Sequence, residues 1–157
     1  MNRIDLRLQE LGLTLPRPAA PVANYVPYVT SGNQVFISGQ ISVAASGDFI
    51  KGRLGEDLTI EQGQAAAKLC GLNLIAQLKH ACGGDLTRMQ RIVKLGGFVS
   101  AAPQSSAADI PKIINGCSDL FVDVFGDAGK HARFAVGAPS LPLDVAVEID
   151  CIAEIKI

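Results

Sequence analysis

Arg133 and Glu148 are the residues of the 157-residue chain whose types and placement best suit chemistry. Arg133 stands in ARFAVG and Glu148 in VAVEID, two alternating segments joined through the turn Pro139-Ser140-Leu141-Pro142, so a short connection is expected to bring the two side chains together. Alternation puts Arg133 on a face with Ala135 and Gly137, small neighbours that leave room for a ligand, and sends Phe134 and Val136 to the opposite face. A planar guanidinium suits two-point capture of a carboxylate. A glutamate on the polar face of the last strand suits holding or activating a water. On spacing alone, an ordinary cross-strand Arg/Glu pair is the simpler account of both.

Other chemistries find no support. The sequence has no G-x-G-x-x-G after a strand, no G-x-x-x-x-G-K-[ST], no G-x-S-x-G and no H-E-x-x-H. Cys70, Cys82, Cys117 and Cys151 are widely spaced without a C-x-x-C pair, so each is expected to pack as a small hydrophobe. His80 and Cys82 lie close together but lack two further ligands nearby, and no metal site is expected. Fourteen Lys and Arg against fifteen Asp and Glu give a net charge of -1 with no basic run. Nucleic acid is therefore not an expected partner, since such binding rests mainly on phosphate neutralisation. Apolar runs end well short of the roughly 18 residues of a membrane span, and Arg3, Asp5, Arg7 and Glu10 interrupt any signal-peptide core. A soluble, cytoplasmic protein is the expectation.

These residues must be positioned by a sheet and its helices. Residues 4 to 12 have the spacing of a short amphipathic helix, and residues 13 to 22, with Pro16, Pro18 and Pro21, read as an extended lead-in to a fold that begins near Asn24. Residues 24 to 30 and 33 to 41 read as a hairpin turning at Ser31-Gly32-Asn33, with Val35, Ile37 and Ile41 on one face and Phe36, Ser38 and Gln40 on the other. Gly-rich turns and a weak strand are expected over residues 42 to 58. A capping box at Thr59 and Gln62 opens a helix from Ile60 to Ala81 with two apolar stripes, Ala67, Gly71, Leu74 and Leu78 on one, Ala65, Leu69, Leu72 and Ala76 on the other. Residues 89 to 100 read as a strand in which Gly96-Gly97 marks a bulge or a close approach of another backbone. Ile110, Ile113, Ile114, Cys117, Leu120, Phe121 and Val124 trace one face of a second long helix. His131 to Gly137 and Val145 to Ile157 complete the strands. The order ββ(β)αβαββ, with both long helices on one face of a mixed sheet, is an α+β domain spanning residues 1 to 157. With 48% hydrophobic and only 18% charged residues, the chain has too few polar groups to cover a monomer, and a homo-oligomer with buried subunit faces is expected.

NYVPYVTSGNQVFISGQI, followed much later by HARFAVGAPSLPLDVAVEIDCIAEI, resembles the RidA/YjgF family, also called endoribonuclease L-PSP-like. The likeness covers residues 24 to 157 and rests on Ser38-Gly39-Gln40 and on the pattern A-R-x-x-V-x-x-x-x-L-P-x-x-V-x-V-E-I-[DE] from Ala132 to Asp150, with Asn115 and Tyr25 also fitting. It implies a chorismate-mutase-like α+β fold, a homotrimer whose sheets face a central barrel, and three clefts between subunits. It further implies hydrolytic deamination of reactive enamines and imines to 2-keto acids and ammonia, without a cofactor. By position, Arg133 would clamp the substrate carboxylate and Glu148 would hold the attacking water. Tyr25, Ser38, Gly39, Asn115 and Ala135 would line the cleft, Ala135 standing where the family has a cysteine. Residues 1 to 23 extend the family's usual N-terminus and could cover the cleft mouth. The alternative is a trimer that binds a small carboxylate metabolite without turning it over; an endoribonuclease or translation inhibitor fits the near-neutral charge less well.

Overall fold

The computed structural model describes residues 1–20 and 23–157. Pro21 and Val22, the last residues of the expected lead-in, lie outside them. Helix α1 (Arg3–Glu10) precedes strands β1 (Tyr28–Ser31) and β2 (Gln34–Ile41), helix α2 (Ile60–Ala81), strand β3 (Met89–Ser100), helix α3 (Ile110–Phe125), and strands β4 (Ala132–Ala138) and β5 (Val147–Ile155). The weak strand expected between residues 42 and 58 is reduced to isolated bridges such as Val43–Phe49 and Lys51–Val145.

The five strands form one sheet in the order β1-β2-β5-β3-β4. β3 and β4 run parallel, as a pair joined through a helix must, and the other pairings are antiparallel. The last strand therefore inserts between β2 and β3, and β4 is left at the edge. The apolar alternation of β5 reaches its expected face, and that of β2 does so as far as Ile37: Val35 and Ile37, and Val147, Ile149, Cys151, Ala153 and Ile155, are buried beneath the helices. Val29, Phe36, Phe98, Phe134 and Val136 stand exposed on the opposite face.

The capping box forms as expected, with Thr59 Oγ1 accepting from the Gln62 amide and Gln62 Oε1 from the Thr59 amide. Of the two α2 stripes, Ala67, Gly71, Leu74 and Leu78 are fully buried, whereas Ala65 is exposed and Leu69 and Leu72 are half-buried. α2 packs closely on α3 because glycines remove side chains at the crossing. A Cβ at Gly63 would lie 2.7 Å from Ile113, and one at Gly71 would lie 2.8 Å from Leu120. The register of β3 runs unbroken through Gly96 and Gly97, so no bulge occurs there. These glycines instead admit side chains, Gly97 admitting Ile114 of α3 and Gly96 admitting Phe134 on the outer face.

The N-terminal segment is bound into the same core. Ile4 and Leu8 of α1 are buried with it, Asn2 Oδ1 caps the helix by accepting from Ile4 and Asp5 amides, and Lys79 of α2 pairs with Asp5 at 2.9 Å. Among the described residues, no helix is long and apolar enough to cross a membrane.

Candidate functional site

The sheet separates the candidate residues into two groups. Glu148 lies opposite Phe98 in β3, which in turn lies opposite Val136 in β4, so Glu148 belongs to the outer face. Arg133 lies in the row of Leu95 and Cys151, both buried under the helices. The expected cross-strand meeting of Arg133 and Glu148 is thus not found within one chain. The parallel pairing of β4 with β3 leaves β3 between the two strands, and pleating turns their side chains to opposite faces.

The first group surrounds Glu148. β2 carries a bulge at Ser38-Gly39: Ile37 pairs with Cys151 and Gln40 with Ile149, so two residues oppose Asp150 alone. One consequence is that the alternation expected along β2 breaks, and Ile41 pairs with Glu148 instead of continuing the face of Val35 and Ile37. Another is that Gly39 lies against the carboxylate. A Cβ at Gly39 would sit 2.5 Å from Glu148 Oε1, so only glycine gives that oxygen its place. Ser38 holds the segment before β1, its amide donating to the Pro27 carbonyl at 2.9 Å and its hydroxyl to the Val26 carbonyl at 2.7 Å. That clamp sets Tyr25, which with Ser38, Gly39 and Glu148 lines a cavity of about 460 Å³. Burial, and after it the Asp150 carboxylate two residues along on the same face, push the Glu148 carboxyl above its ordinary range.

The second group surrounds Arg133 on the other side. Its Nη1 donates to the Ser118 hydroxyl at 2.9 Å and its Nη2 to the Pro111 carbonyl at 3.3 Å. Pro111, Asn115 and Ser118 recur at i, i+4 and i+7 on α3, so the helix face that holds the guanidinium is also the face carrying Asn115. Of the small residues beside Arg133, Ala135 is half-buried and Gly137 exposed. Ala135 packs against the core, and a Cβ at Gly137 would lie 3.1 Å from Ile110, so both make room for α3.

Sequence reasoning missed Ser118 and left His131 without a role. Their arrangement is directional. His131 Nδ1 lies 2.6 Å from the Gly129 carbonyl, which can only accept, so Nδ1 carries the proton. Nε2 then accepts from the Ser118 hydroxyl at 2.8 Å, and the Ser118 oxygen accepts from Arg133. Burial lowers the His131 pKa, the Gly129 hydrogen bond opposing it and the charge of Arg133 adding to it, so the neutral ring is favoured. No sequence motif announces a serine on one element and a histidine at the end of a loop; only the crossing of α3 over β4 unites them.

Comparisons with known proteins place the fold in a family. Residues 5–155 match the family described as "YjgF/chorismate_mutase-like, putative endoribonuclease". Protein TCP17 of Trypanosoma cruzi is 46% identical over 156 residues, 99% of this chain and 96% of that protein. The crystal structure of Atu1372 from Agrobacterium tumefaciens, described as of unknown function, is 44% identical with a TM-score of 0.90, covering 98% of this chain and 92% of that one. E. coli TdcF, solved with bound serine, is 26% identical with a TM-score of 0.63, covering 89% of this chain and 94% of that one. The family match begins at residue 5, inside α1. With its mixed sheet, paired helices and Ser-Gly bulge, the chain belongs to the YjgF/chorismate-mutase-like family, whose structural neighbours include RidA proteins.

Proposed function

We propose that the chain hydrolyses reactive 2-imino acids, and the enamines in equilibrium with them, to 2-keto acids and ammonia, in clefts formed between copies of a homotrimer. The observation that carries this reading is the division of the candidate residues. Arg133 with Asn115 and Ala135 lies on one side of the sheet, and Glu148 with Tyr25, Ser38 and Gly39 lies on the other. Neither group is a site alone, and a neighbouring copy is the available source of its complement. The exposed apolar face formed by Val29, Phe36, Phe98, Phe134 and Val136 offers the contact surface that such an assembly needs.

The chemistry asks little of the protein. An iminium carbon is already electrophilic, so fixing the carboxylate and the water supplies most of the orientation required. Arg133 of one copy holds the substrate carboxylate through the N–H groups that Ser118 and Pro111 leave free. Glu148 of the next copy holds a water and takes its proton as the oxygen bonds to the iminium carbon. Glu148 then returns that proton to the carbinolamine nitrogen, and as the C–N bond breaks the carbinol oxygen gives its remaining proton to the freed carboxylate, so ammonia leaves and the 2-keto acid remains. No cofactor enters this scheme.

The reading is tested by generating an imino acid with an amino-acid dehydratase and following its loss by semicarbazide trapping, in buffer, with wild type and with Arg133→Ala. Faster loss with wild type alone is expected. Equal loss in all three would contradict hydrolysis and, if carboxylate binding were still abolished by Arg133→Ala, would leave a binding trimer. RNA is expected to survive incubation at low salt, because a net charge of -1 gives no basic footprint.

A further inference from the structure

We infer that the cavity beside Glu148 receives the substrate side chain and selects branched or aromatic apolar groups over small polar ones. This rests on the imine-hydrolase reading above and narrows its substrate class. The walls are mostly apolar and come from separate parts of the chain: Ile41 at the end of β2, Val43 and Phe49 from the following loop, Leu143 from the turn before β5, and Ala19 and Ala20 from the N-terminal segment. A volume of about 460 Å³ holds a small organic molecule with a sizeable side chain.

Besides Tyr25 and Glu148, the polar side chains at the cavity have their donors committed within the chain. The Ser38 hydroxyl is given to Val26, Gln40 Nε2 to the Ser38 carbonyl, and Asn73 Nδ2 to the carbonyls of Val43 and Leu69. With these donors committed, an apolar side chain meets a mostly apolar wall and gains from its burial, whereas a small polar side chain gains less.

Two structural commitments maintain these walls. Gln77 of α2 is 1% exposed, and its Nε2 donates to the Ala19 carbonyl at 3.0 Å, so a buried polar group is spent on fixing the N-terminal wall. Leu143 stands at φ 57° and Asp144 at φ 58°, in the left-handed region that disfavours a leucine. Leu143 is also 62% exposed and contributes no core packing that would explain it. Asn would suit that backbone better, and the leucine side chain forms the cavity rim at a conformational cost.

The test uses the full-length protein and imino acids made by an L-amino-acid oxidase from leucine, alanine and serine, with binding of 4-methyl-2-oxopentanoate and pyruvate measured in parallel. The expected kcat/KM for the leucine-derived imine exceeds those for the alanine- and serine-derived ones by at least about 10-fold, with a matching order of Kd for the two keto acids. Leu143→Asn, which relieves the backbone while removing the apolar rim, is expected to reduce both ratios toward unity. Gln77→Leu, which frees the N-terminal wall but keeps an apolar group in the core, is expected to do the same. Hydrolysis of all three imines with equal kcat/KM and equal keto-acid binding would overturn the pocket assignment and leave the hydrolase standing. If no imine is lost faster than in buffer, the hydrolase reading falls. The keto acids then decide the pocket: selectivity lost in Leu143→Asn upholds it, and indifference overturns it.

Discussion

Arg133 is held before any ligand arrives, with one N–H on the Ser118 hydroxyl and another on the Pro111 carbonyl. Ser118 can accept from Arg133 with full directionality because its own proton goes to His131, which burial keeps neutral. Ser118→Ala should therefore loosen the clamp without touching the water. A hydrogen bond to a charged group is worth about 1.5 kcal/mol or more, so KM for an imino acid should rise roughly 10-fold while kcat changes little. Steady-state kinetics would check this, and an equal fall in kcat would contradict it. Glu148 makes a prediction of the opposite kind. It works as a base only when ionised, and burial with the Asp150 charge raises its pKa. The acid limb of kcat/KM, corrected for the buffer reaction, should therefore lie above the ordinary glutamate range of about 4.3, and Glu148→Gln should lower kcat by about 10² or more. Residue type and the family resemblance marked Arg133 and Glu148 as candidates in the sequence, while the hairpin expected to unite them does not form. Ser118 and His131 were not so marked, because their significance lies in a contact between α3 and β4 that no local spacing encodes.

The bulge in β2 shows where reading an element by its period succeeds and where it stops. Alternation predicted the buried face of β2 as far as Ile37, and of β5 throughout, because in both a continuous apolar row meets the helices. It failed at Ile41, since the two-for-one pairing at Ser38-Gly39 reverses the faces, and the sequence shows only a serine and a glycine there. The same limit explains the misplaced Arg133–Glu148 pair. Adjacent segments joined by a proline turn suggest a hairpin, but α3 commits β4 to a parallel pairing with β3, and β5 must then seek the gap beside β2. Gly39→Ala tests the function of the bulge. The added methyl would meet Glu148 Oε1 at 2.5 Å and displace the carboxylate. Misplacement of a reacting group by about 1 Å can cost about 10² in rate, so kcat should fall by that order while circular dichroism remains native and keto-acid binding through Arg133 persists.

At the scale of the whole molecule, the low charge content of the sequence and the exposed apolar face express one fact. Val29, Phe36, Phe98, Phe134 and Val136 form a surface that water covers poorly, and Phe98 packs edge-to-face on Phe134 with centroids 5.5 Å apart. Phe134→Asp should leave the helix-side core intact, since Phe134 points away from it, but should shift the protein to monomer by light scattering and abolish imine hydrolysis together with assembly. Composition pointed to surface in need of cover, whereas the separation of Arg133 from Glu148 required the sheet order. A site shared between copies is tested most directly by complementation. Arg133→Ala and Glu148→Gln chains, each inactive alone, are unfolded, mixed in equal amounts and refolded. If each cleft draws Arg133 from one copy and Glu148 from the next, random assembly restores both residues in about a quarter of clefts and returns about a quarter of wild-type activity. Activity no greater than that of the separate variants, in verified mixed oligomers, would contradict a site shared between copies.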